Sequence, residues 1–103
     1  MDFTLTVEMI DAEIENFQGI IQDKQVELDK LLEETQTLNG RIEIFKRLNG
    51  MVEEEVLKRV TTKNTQALTD EVFNKIPTIN GVKSTIKQFS KLVEYLEEMK
   101  KNL

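Results

Sequence analysis

A chain of 103 residues with 39% apolar residues, five Phe, one Tyr and no Trp has material for one domain with a small core. It contains no cysteine and no histidine, which removes disulfides, thiolate nucleophiles, zinc–thiolate sites, and the commonest general base and metal ligand. The net charge of −5 is unevenly spread: residues 1–57 carry fourteen acids and five bases, and residues 58–103 carry five acids and nine bases, so the two halves are electrostatically complementary.

The chain begins Met1-Asp2-Phe3-Thr4-Leu5-Thr6, with no basic segment followed by an apolar one, and nowhere do eighteen apolar residues run together. The expectation is a cytoplasmic protein without a membrane partner, and secretion without a cleaved signal is compatible with the same features. One proline and four glycines leave turn chemistry sparse, and Leu, Ile, Val, Glu, Lys, Gln and Thr dominate, so the expected fold class is all-α.

Residues 1–60 read as a coiled-coil helix. With Val7 at position a of a heptad, the a positions are Val7, Ile14, Ile21, Leu28, Thr35, Ile42, Asn49 and Val56. The d positions are Ile10, Phe17, Lys24, Leu31, Leu38, Phe45 and Val52. Twelve of these fifteen are apolar. A seven-residue repeat held in phase keeps one seam facing a neighbour, whereas an ordinary amphipathic helix drifts toward a 3.6-residue period. Two Asn-Gly pairs, Asn39-Gly40 and Asn49-Gly50, interrupt the run. Either pair could turn a hairpin, but the unchanged register across both favours one continuous helix from about Thr6 to Val60 over a hairpin turning at Asn39-Gly40 or Asn49-Gly50.

A continuous stripe of this length cannot be covered by one short chain, so a homo-oligomer follows. Its interface would comprise Val7, Ile10, Ile14, Phe17, Ile21, Leu28, Leu31, Leu38, Ile42, Phe45, Asn49, Val52 and Val56. In that arrangement Asn49 pairs with its own counterpart, fixing register at a cost in stability. Apolar residues at flanking positions, Ile20, Leu32 and Leu48, widen the stripe and ask for a further helix.

Residues 61–68 begin with Thr61-Thr62-Lys63-Asn64-Thr65, which has no apolar member, and read as a loop. A short helix is expected next, with Thr69 as N-cap, Asp70 and Glu71 in the first turn, and an end at Pro77. The last helix carries a second seam of Ile79, Val82, Ile86, Phe89, Val93 and Leu96. The complementary charges suggest that it roofs the first half, within one structural domain.

Motifs that would carry chemistry are lacking. Glu53-Glu54-Glu55 places three carboxylates on different helix faces, where paired acid–base work needs two converging in one pocket. Neither a Glu-x-x-His pair nor a calcium-loop spacing occurs. Lys83, Lys87 and Lys91 form a basic stripe without interleaved aromatics, which disfavours nucleic acid as a partner on an acidic chain. No cofactor is expected. The chain approaches the small helical-hairpin proteins of the WXG family in length and acidity, but reads Leu38-Asn39-Gly40 and Leu48-Asn49-Gly50 where that family has Trp-x-Gly. The reading is therefore a non-enzymatic protein-binding chain: an oligomeric helical scaffold, assembly or chaperone-like adaptor factor. The alternative is a small acidic inhibitor that blocks a target protein.

Overall fold

The computed structural model describes residues 3–103. Two long α-helices account for nearly all of them: α1 spans Val7–Met51 (45 residues) and α2 spans Glu55–Lys101 (47 residues). They are joined by a three-residue turn at residues 52–54, and no strand occurs among the described residues. The chain is an all-α helical hairpin.

Each helix end has a local cause. The Thr6 hydroxyl accepts the Met9 backbone N–H at 3.2 Å, an N-cap that satisfies one of the orphan donors of the first turn. Glu8 lies in that turn, where a negative charge meets the positive end of the helix dipole. Glu53 and Glu54 immediately precede α2 and Glu55 opens it, so the acidic run that offered no pocket serves the same electrostatic purpose. The Lys58 N–H donates to the Glu54 carbonyl at 3.0 Å, which closes the first turn. At the other end Lys100 and Lys101 occupy the last turn of α2, complementing the negative terminus.

Several sequence expectations are corrected here. The helix from Thr6 to Val60 is not continuous, nor does the chain turn at Asn39-Gly40. Both Asn-Gly pairs lie inside α1 and no described residue has a positive φ, so neither glycine supplies the left-handed cap that such pairs often provide. The turn instead uses Val52, Glu53 and Glu54, without glycine or proline.

The stretch 61–68 is helix, not loop. Its polar side chains bond back onto their own helix: Thr61 Oγ1 donates to the carbonyls of Leu57 (3.1 Å) and Lys58 (3.0 Å), Asn64 Nδ2 to Val60 (2.8 Å), and Thr65 Oγ1 to Thr61 (2.8 Å). Hydroxyls satisfied this way lose little by being helical.

Thr69 is not an N-cap, since its hydroxyl donates to the Thr65 carbonyl at 2.7 Å in mid-helix, and Pro77 does not end a short helix but sits within α2. A mid-helix proline costs about 3 kcal/mol. Tertiary packing offsets that cost, because Leu68, Ile79 and Val82 are buried and Val72 half-buried, on both sides of Pro77.

The hairpin divides into two compact units. In one, the segment ending at Leu28 pairs with Gly81–Leu103. Ile10, Ile14, Leu28 and Val82 are its buried apolar residues. The rings of Phe17 and Phe89 meet edge to face, 5.1 Å between centroids at 76°, and Lys100 Nζ lies 2.8 Å from Asp11 Oδ1. These pairs step up α1 and down α2, as antiparallel helices require. The other unit, Asp29–Asn80, contains the turn and buries Leu38, Leu68 and Ile79 together with the Thr61 side chain.

Candidate interaction surface

The seam comes first, because it decides what remains outside. From Ile10 to Val52 every position expected at a or d is buried or half-buried, and so are Ile79, Val82, Ile86, Phe89, Val93 and Leu96. Val7 and Val56 are exposed. The other residues expected to face another copy are thus buried or half-buried within one chain, as in the contact of Phe17 with Phe89. Thr61, Thr65, Leu68, Val72 and Lys75 complete the seam of α2. They were missed because three of the five are polar, although their alternating spacing of four and three leads directly into Ile79 and Val82.

Asn49 illustrates the difference. Its Nδ2 donates to Thr61 Oγ1 (2.7 Å), Thr62 Oγ1 (3.0 Å) and the Lys58 carbonyl (3.1 Å). The expected pairing of Asn49 with a second Asn49 is replaced by a clasp from α1 to the first turns of α2. Nearby, Lys46, Asn49, Thr62, Thr65 and Gln66 line a shallow groove on this side of the turn unit.

The opposite side of the same unit has a larger open groove of about 490 Å³, lined by Lys30, Glu33, Glu34, Thr37, Leu38, Arg41, Glu71 and Lys75. Lys75 Nζ reaches Glu34 Oε2 at 3.1 Å across it. Both partners are partly exposed, so this bridge contributes little to stability. Three bases and three acids share the groove walls.

One or two heptads nearer the turn the same walls become apolar. Thr37 is followed seven residues on by Ile44 and fourteen on by Met51; Arg41 is followed by Leu48; Glu71 is preceded by Leu57 fourteen residues earlier. Val60 lies one helical turn beyond Leu57. These five side chains are exposed, Met51 at 76% and Ile44 at 59%. By this spacing they line up on one side of the two helices, as exposed apolar residues flanking the turn.

The other unit has its own exposed apolar residues, among them Leu92, Tyr95 and Met99, one face of α2 at spacings of three and four. There Lys100 donates to Asp11, and that hydrogen bond together with the carboxylate's charge raises the lysine above its ordinary pKa of 10.5. Among the described residues no three acidic, histidine or cysteine side chains converge as a metal site, and no helix is long and apolar enough to cross a membrane.

No family model, curated protein or solved structure matches the chain. The functional reading therefore rests on the surface itself.

Proposed function

We propose that the chain acts by binding protein surfaces, as an oligomeric helical scaffold or adaptor whose first partner is another copy of itself. The observation that carries this reading is the number of large apolar side chains left exposed. Nineteen are exposed among the described residues, beside a seam whose apolar members are buried or half-buried. Scattered exposed apolar residues are ordinary, but contiguous groups of them on a small protein mark contact surfaces.

Area supports the same reading. The chain exposes 8041 Å², whereas a compact monomer of 12.0 kDa is expected to expose about 6,000 Å². The heptad spacing of both seams supports coiled-coil packing of the helices, and hairpins packed in this way associate into bundles of four helices.

Size-exclusion chromatography with light scattering tests the proposal. The expected mass is at least twice 12.0 kDa at micromolar concentration. A monodisperse monomer rejects the oligomer.

A further inference from the structure

The apolar patch beside the turn is the surface that the observations carry furthest. Ile44, Leu48 and Met51 follow one another at spacings of four and three on α1, and Leu57 and Val60 lie one helical turn apart on α2. All five belong to Asp29–Asn80. By their spacing of one or two heptads both stripes fall in line with Thr37, Arg41 and Glu71, which line the groove, and this places them on one side of the two helices.

We propose that two copies of the chain pack through this face, turn beside turn, about a two-fold axis running along the hairpin, with α1 of each copy against α2 of the other. This rests on the oligomer reading above and names its interface. Two features select a second copy as the occupant. In a two-fold contact the same patch serves both partners, so it must complement itself. Here Ile44, Leu48 and Met51 meet Leu57 and Val60 of the partner subunit, apolar against apolar. Further from the turn, Arg41 meets Glu71 of the partner subunit and the reciprocal pair forms by symmetry. A groove carrying both signs of charge in equal number suits such a contact better than it suits a partner of a single sign.

The second feature is area. The surplus of roughly 2,000 Å² over a compact monomer falls in the range that each subunit of a homodimer buries, about 1,000–2,500 Å². The seam itself is already filled from within the chain, so a second copy meets an outer face. The apolar groups beside the turn are the part of that face where both helices contribute.

The test uses the full chain. Leu48→Lys, at an exposed position, is expected to weaken self-association about tenfold or more, as loss of a central interface residue does, with helicity by circular dichroism unchanged. Arg41→Glu and Glu71→Arg each place like charges across the interface, and each alone is expected to be monomeric. Mixed in equal amounts they are expected to form a mixed dimer, because both inter-subunit pairs are then of opposite sign. The chain has no cysteine, so Glu53→Cys carries a single spin label. Turn beside turn, the two labels lie within about three helix diameters, roughly 30 Å.

A dimer insensitive to Leu48→Lys, a mixture that associates no better than its components, or a longer label separation overturns this interface while leaving the oligomer reading intact. A wild-type monomer overturns both.

Discussion

The Asn49 amide lies 2.7 Å from the Thr61 hydroxyl, and this contact joins the last turn of α1 to the second turn of α2. Thr61 is buried and its own proton goes to the carbonyls of Leu57 and Lys58, which leaves its oxygen free to accept from Asn49. Removing the amide strands a buried acceptor and releases the clasp. Asn49→Val is therefore expected to lower stability by about 1–2 kcal/mol, or several degrees in Tm for a chain of this size. Urea denaturation measures it, and a gain in stability would restore the reading in which Asn49 pairs with a second copy.

Phe17 and Phe89 provide a test of the other unit. An edge-to-face pair adds about 0.5–1.5 kcal/mol beyond its buried area. Phe89 is half-buried, so Phe89→Ala is expected to cost roughly 3 kcal/mol, near the lower end of the range for fully buried rings. The double variant with Phe17→Ala should cost less than the two single changes added together. Strict additivity in a double-mutant cycle would show that the rings do not support each other.

Glycine substitutions probe what surrounds the helices. Gly19, Gly40, Gly50 and Gly81 all lie inside helices, none with positive φ, and beyond its chain neighbours and the nearby backbone of its own helix a Cβ added at any of them meets no atom within 4 Å. Each Gly→Ala change is expected to stabilise the chain by about 0.5–1 kcal/mol through the lower backbone entropy of the unfolded state. Thermal melts of the four single variants are the measurement. A variant that melts lower than wild type would mark a position where another copy or another protein approaches the backbone.

The contact between Lys100 and Asp11 predicts a pH dependence. Because the lysine's pKa is raised in the folded chain, chiefly by its hydrogen bond to Asp11 and then by the carboxylate's charge, its stabilising contribution is fully present below the ordinary value of 10.5. It is lost as pH rises through the higher folded value. Asp11→Asn is thus expected to melt slightly below wild type at neutral pH and low salt, with the difference fading in strongly alkaline solution. The pair is exposed, so added salt should shrink it as well. A difference that persists unchanged at high pH would assign the effect of Asp11 to something other than Lys100.

How much of this was legible without coordinates varies from residue to residue. The helical class followed from composition, and the spacing that selected Ile10, Ile14, Leu28, Leu38, Ile79 and Val82 selected residues that are buried, because a helix can bury only the stripe that faces its neighbour. The place where the chain turns was hidden by that same regularity. Val52 and Val56 keep the heptad phase across the break although Val56 is 67% exposed, and a periodic pattern carries no mark of where its helix reverses when the turn uses Val52, Glu53 and Glu54 in place of glycine or proline. Likewise Thr61-Thr62-Lys63-Asn64-Thr65 has the composition of a loop, and only the carbonyls one turn back and the amide of Asn49 make it helix. Pro77 opposes helix locally, and the packing of Leu68, Val72, Ile79 and Val82 overrides it. Local preference is a fraction of a kilocalorie for most residues, so sequence alone determined which side chains seek cover, while the tertiary fold decided which part of the chain covers them and left the patch around Met51 bare.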